Sequence, residues 1–145
     1  MDNLFSFNEI QINYTSACLG PEIKSSQDVF DMMLPNWLDL DYTETFYIIL
    51  LNRGNRVLGV SKISVGSVSG TVADPKKMFQ IALKANSSAI ILCHNHPSGT
   101  TRPSSNDDLV TRKCVSAGKF LDLPVLDHII LTKGEYFSYA DQGLL

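Results

Sequence analysis

The stretch ETFYIILLN, residues 44–52, decides the fold. Its aromatic and branched apolar residues fall on both faces of an extended chain, so it predicts a central strand covered on both sides. Arg53, Gly54 and Asn55 then make a tight turn. RVLGVSKIS, residues 56–64, reads as the returning strand of a hairpin. Residues 64–71, rich in Gly and Ser, predict a loop or a flexible edge.

Asp74 is a good N-cap, and Pro75 suits the first helical position. The helix they open runs to about Asn86, with Met78, Phe79, Ile81, Ala82 and Ala85 turned inward. SAIILC, residues 88–93, predicts a short buried strand, followed by a polar loop over 94–103. Ser104 or Ser105 opens another helix to about Leu121. Residues 124–132 predict a strand, Lys133-Gly134 a turn, and residues 135–139 its partner. On the N-terminal side, Ser25 or Ser26 caps a helix through Leu34, with an apolar stripe of Val29, Phe30, Met33 and Leu34. Pro35 ends it. A strand is expected at 9–14 and a break at Gly20-Pro21. The order hairpin, helix, strand, helix, hairpin predicts an α/β fold: a mixed β-sheet flanked by helices, not a doubly wound parallel sheet. Residues 1–24 read as an N-terminal extension and 25–145 as one domain.

Composition agrees with one globular domain. The chain has 145 residues, 44% apolar and 19% charged, enough to bury roughly 70% of the surface its unfolded form exposes. The longest apolar run, residues 46–51, falls far short of the roughly 20 residues of a membrane span, so no membrane partner is expected. The first residues, MDNLFSFNEI, lack the basic start and long apolar stretch of a signal peptide. Cys18, Cys93 and Cys114 are an odd, scattered set, read as reduced thiols in the cytoplasmic compartment. A net charge of −3 argues against a strongly basic nucleic-acid binder, although Lys76, Lys77 and Lys84 leave a local basic strip on one helix.

The chemistry concentrates in CHNHPSG, residues 93–99. Two of the three histidines, His94 and His96, stand two residues apart after a buried strand. In an extended backbone they point to the same side, where two imidazoles can chelate one metal ion. Pro97 stiffens the exit, and Gly99 lets the chain turn. Asp107, eleven residues after His96, lies one turn into the next helix. Two histidines and one carboxylate form a recognised catalytic zinc set, with water in the fourth position. Each part also has a plainer reading. A histidine pair can be an ordinary loop feature, Ser104 and Asp107 match a capping box, and Asp107 beside Asp108 suits a helix dipole. Cytidine-type deaminases need His-x-Glu and a later Pro-Cys-x-x-Cys, which this chain lacks. The helical His-Glu-x-x-His of zincins, a phosphate-binding Gly-rich motif and a serine nucleophile elbow are also absent.

His94-x-His96, seven residues, Ser104, two residues and Asp107 together resemble the metal signature of the JAB (JAMM, MPN+) metalloprotease superfamily. HNHPSG, RPS at 102–104, LDHII at 126–130, FYIILLNR at 46–53, GTVADP at 70–75 and ALKAN at 82–86 resemble its bacterial RadC-like branch, over about residues 25–143. The resemblance implies a JAB/MPN-like fold, a cytidine-deaminase-like three-layer sandwich. It implies a zinc-dependent hydrolase, a peptidase or isopeptidase that cleaves an amide bond of a peptide or protein with a zinc-activated water. By the same resemblance His94, His96 and Asp107 are zinc (Zn2+) ligands. Glu44 holds the zinc-bound water and acts as general base, and Ser104 donates a hydrogen bond to the developing oxyanion. All five positions are filled, whereas a degenerate, binding-only relative is expected to lose one. Glu44 alone reads as a solvated strand-start residue.

RadC-like proteins often carry a further N-terminal segment of helix-hairpin-helix character, and this chain has 43 residues before Glu44. Any DNA contact attributed to that segment does not transfer. Two alternatives remain beside the hydrolase: an accessory protein associated indirectly with the DNA-repair machinery, and a metal-stabilised interaction module that recruits a partner by its sheet edge. Asn95 and Ser98 either orient ligands or, as we favour, satisfy loop backbone. Asp127-His128 is a candidate supporting or substrate-edge pair, with His128 read as a structural, hydrogen-bonded histidine. Cys93 and Cys114 read as core thiols, with Cys93 also placed near the metal by its neighbour His94.

Overall fold

The computed structural model describes residues 18–66 and 73–145. The strand expected at 9–14 and most of the loop expected at 64–71 lie outside the described residues. Helix α1 spans Ser26–Met33, and a short 3-10 turn follows at Leu34–Asn36. Strands β1 (Thr45–Leu51) and β2 (Val57–Val65) form the hairpin. Helix α2 covers Pro75–Lys84, strand β3 Ala89–Asn95, helix α3 Ser105–Phe120, and strands β4 and β5 cover Val125–Leu131 and Tyr136–Ser138.

The five strands lie in the order β2-β1-β3-β4-β5. Only β3 and β4 run parallel; the other neighbours are antiparallel. The parallel pair needs a crossover, and α3 supplies it. Period-two alternation then sorts the apolar side chains into two layers. Phe46, Ile48, Leu50, Ile90 and Leu92 pack with α2 and α3 on one face. Ile49, Leu51, Ile91, Cys93, Ile129 and Leu131 pack with α1 and Trp37 on the other. The result is the expected mixed α/β architecture, a sheet between two helical layers, with β1 covered on both faces.

Local chemistry sets most boundaries. Asp74 accepts from the Lys76 N–H at 3.0 Å, with Pro75 in the first turn of α2. Ser25 and Asp28 form a reciprocal capping box on α1. The 53–55 turn is held by the Asn52 side chain, which accepts from the backbone of Gly54 and Arg56, and Asn55 takes φ 57°. The end of α3 packs closely on the chain that follows: a Cβ on Gly118 would lie 2.5 Å from the Leu123 carbonyl oxygen. Residues 20–23 run along the start of β2, with Gly20 N–H donating to Val57 at 2.7 Å and Ile23 N–H to Asn55 at 2.8 Å.

Four expectations shift. Strand β3 does not stop at Cys93 but continues through His94 and Asn95. Both polar side chains are buried and hydrogen-bonded, so they satisfy themselves inside the sheet. Helix α1 ends at Met33, where Pro35 forces the tighter 3-10 turn. Strand β5 is shorter than expected, because Glu135 is engaged in the turn through its carbonyl and the Thr132 hydroxyl. Of the lysine strip on α2, Lys77 is committed, donating to the Ile63 carbonyl at 2.8 Å. No helix among the described residues is long and apolar enough to cross a membrane.

Candidate metal centre

The carboxyl end of β3 meets the N-terminus of α3 and the chain entering β1, and the chemistry gathers there. One potential ligand atom from each of Glu44, His94, His96 and Asp107 lies within 4.8 Å of all the others. The two imidazole Nε2 atoms are 3.0 Å apart. Asp107 faces both, with Oδ1 at 3.2 Å from His94 and Oδ2 at 3.3 Å from His96. Glu44 stands back, its Oε1 3.8 Å from His94 Nε2 and 3.7 Å from His96 Nε2. Glu44, Ser104 and Asp107 line one cleft of about 200 Å³ with Phe46, Ser64 and His94.

Each side chain is held from behind. His94 is the β-bridge partner of Phe46, and their rings stack at 5.4 Å and 8°. Its Nδ1 lies 2.8 Å from His128 Nε2. His96 donates from Nδ1 to the Thr100 carbonyl at 2.8 Å. Gly99, at φ 84°, turns the chain so that this carbonyl comes back to the ring. Ser104 is the N-cap of α3: its Oγ accepts the Asp107 N–H at 3.1 Å, while Asp107 Oδ2 accepts the Ser104 N–H at 2.8 Å. The capping box forms, and its aspartate is also the candidate ligand.

A carbonyl can only accept, so the Thr100 bond fixes the proton of a neutral His96 on Nδ1 and leaves Nε2 bare. A bare nitrogen at 3.3 Å from a carboxylate oxygen is repelled unless positive charge lies between them. The charges around the two groups lean the same way. Burial disfavours the charged form of His96, yet the bonds to Asp107 and Thr100 and the nearby carboxylates raise its pKa above the usual histidine value. Burial works against the Asp107 carboxylate too, but the two histidines and the Ser104 N–H hold its pKa far below the ordinary carboxylate range. The cluster could hold a cation. Donors about 2.0–2.1 Å from a tetrahedral zinc ion are separated by about 3.3 Å; the two imidazole nitrogens stand 3.0 Å apart, and each has one Asp107 oxygen at 3.2 or 3.3 Å. Nitrogen and oxygen donors suit that ion, so the residues fit it.

The other named residues sort clearly. Asn95 serves backbone: Oδ1 accepts the Thr45 N–H at 2.7 Å, and Nδ2 donates to Leu40 and Thr43 carbonyls at 2.8 Å each. Ser98 accepts the Thr100 N–H at 3.5 Å within its own loop. Asp127 and His128 are adjacent on a strand and so face opposite ways. Asp127 accepts from His128 N–H, Ala140 N–H and the Ser138 hydroxyl, and burial raises its pKa despite those bonds. His128 turns to the cluster, fully buried, with its ring stacked on Tyr139 at 5.0 Å. Cys93 is not near the candidate metal site: it packs on the α1 face, where burial pushes its thiol well above the usual range. Cys114 is a core thiol, pushed up to about 12 by burial. Thr111 was not singled out by sequence, although it stands one helical turn after Asp107. Its hydroxyl lies 2.6 Å from His128 Nδ1.

Residues 23–144 match the family model described as the RadC-like JAB domain. Among curated proteins, a UPF0758 protein of Flavobacterium johnsoniae is 39% identical over 123 residues, 85% of this chain and 53% of its own length. A UPF0758 protein of Desulfitobacterium hafniense is 42% identical over 125 residues, 86% of this chain and 55% of its own. One of Alkaliphilus metalliredigens is 39% identical over 135 residues, 93% and 58% respectively. The chain thus spans little more than half the length of these relatives.

Proposed function

Since the chain belongs to the RadC-like JAB domain family, we propose that it is a zinc-dependent hydrolase of the JAMM type, cleaving an amide bond in a peptide or protein substrate. One juxtaposition supports this reading: His94, His96 and Asp107 converge at 3.0–3.3 Å, with Glu44 and Ser104 lining the same cleft. His94, His96 and Asp107 would hold the ion. When bound, zinc would polarise a carbonyl and lower the pKa of a water from about 15.7 toward about 7.

The remaining work falls to the chain. Glu44, partly exposed at 40% and set back from the two histidines, accepts the proton of the attacking water at its carboxylate. It then delivers that proton to the amine nitrogen as the C–N bond breaks. Ser104 Oγ accepts a backbone N–H, so its own proton is left to donate. It points that proton at the carbonyl oxygen, where negative charge develops. The second carboxylate oxygen of Asp107, tied to the Ser104 backbone, keeps the ligand and the donor in one rigid turn.

Metal analysis of dialysed protein, joined to a peptide-library cleavage screen, tests the reading. About one zinc per chain is expected. Glu44→Gln should lower turnover by about 10²–10⁴ while zinc stays bound. A fully folded chain that takes up no metal would overturn the metal centre. Undiminished cleavage by Glu44→Gln would reject the base.

A further inference from the structure

His94 meets Asp107 twice, once where its Nε2 faces the carboxylate at 3.2 Å and once through a chain of hydrogen bonds behind it. The Thr111 hydroxyl donates to the Asp107 main-chain carbonyl at 2.7 Å. A hydroxyl has one proton, and a carbonyl has none to give, so that proton is committed. Thr111 Oγ1 can then only accept from His128 Nδ1, 2.6 Å away. His128 is fully buried, where an imidazole is held neutral, and its two ring nitrogens face Thr111 and His94. Its proton therefore sits on Nδ1 and its Nε2 is bare. That bare nitrogen accepts from His94 Nδ1 at 2.8 Å, which leaves Nε2 of a neutral His94 without a proton.

The opposite polarity would defeat the site. If Thr111 donated to His128, the His128 Nε2–H would point at His94 Nδ1. The His94 proton would then stand on Nε2, between the ring and any ion. Ring rotation cannot mend this cheaply, because Phe46 stacks on His94 and Tyr139 on His128. Both ring nitrogens of His128 are occupied by these bonds, so it is not a further ligand.

We propose that Thr111 and His128 are positioning residues that lock His94 in the tautomer whose Nε2 lone pair faces the metal. The pair does for His94 what the Thr100 carbonyl does for His96. This rests on the metal reading above. Partners behind metal-bound histidines typically contribute 10–100-fold to metal affinity, and here the partner is anchored on the backbone of a third ligand.

With three histidines in the chain, long-range ¹H–¹⁵N spectra of the labelled protein can assign every ring. They should be taken metal-free and with added zinc chloride, at a pH above the usual histidine range. The proton of His128 is expected on Nδ1 in both samples, and that of His94 on Nδ1 in the sample with zinc. A proton on His128 Nε2 would overturn the proposal. Zinc affinity by chelator competition gives a second readout. Thr111→Val and His128→Leu should weaken it by about 10–100-fold. Thr111→Ser should keep it, and His128→Gln should recover most of it, because an amide can accept from His94 and donate to Thr111. Unchanged affinity in Thr111→Val would also overturn the proposal. Should His128→Leu fail to fold, Thr111→Val and His128→Gln carry the test, with metal-free thermal stability measured for each. If the unaltered chain takes up no zinc, the metal reading fails, while the spectra still decide the tautomers.

Discussion

The carboxamide of Asn95 grips the chain on both sides of Glu44. It accepts the Thr45 N–H at 2.7 Å and donates to the Thr43 carbonyl at 2.8 Å, with a further bond to Leu40. Asn95 is buried at the end of β3, between His94 and His96, so one short run of chain carries two candidate ligands and the clamp for the proposed base. Asn95→Ala would leave those backbone groups unpaired, at a cost of about 1–3 kcal/mol in stability. It should also let Glu44 drift, lowering turnover by about 10²-fold while zinc affinity changes little. Thermal melts, metal competition and cleavage rates on the one variant check all three. Turnover at the unaltered rate would show that Glu44 needs no such anchor.

Ser104 has two jobs that substitution can separate. As the N-cap of α3 it accepts the Asp107 N–H; as the proposed oxyanion donor it uses its own proton. Ser104→Ala should cost about 1 kcal/mol of stability, whereas Ser104→Gly should cost only a few tenths. Both lack the hydroxyl, so both should slow turnover alike, by about 10²–10³. Turnover that tracked stability, with the glycine variant near normal, would reduce Ser104 to a helix cap.

Much of this was legible in the sequence because it is local. The apolar faces of residues 45–51 demanded a covered strand, and β1 is one. Two histidines two apart in extended chain had to share a side, and their Nε2 atoms meet at 3.0 Å. The same alternation places Cys93 on the opposite face from His94, which its adjacency in sequence obscured. The illegible parts are long-range. Asn95 bonds to residues about fifty positions earlier, and nothing local announces them. Thr111 is recognisable as a helical neighbour of Asp107. Its partner His128 arrives only through the register of two parallel strands, in which Leu92 faces His128. Pairing across a crossover is set by packing of the whole sheet, not by either segment alone.

The depressed Asp107 and raised His96 make a prediction of defined sign. For Asp107, the stabilising contribution is present above its unfolded value of 3.8 and is lost as pH falls below it toward the lower folded value. For His96, the contribution is full below 6.5 and is lost as pH rises through the raised folded value. The metal-free protein should therefore gain most from this pair between those two limits and lose the His96 share on the alkaline side. Zinc obeys the reverse rule, because it competes with the proton for His96 Nε2 and gains as that proton leaves. The difference in melting temperature between zinc-saturated and metal-free protein should thus widen as pH rises through the folded His96 value. Calorimetry across that range, repeated on His96→Ala, reads the effect directly. An equal gap at every pH in the unaltered protein would mean that zinc and the proton do not share this nitrogen.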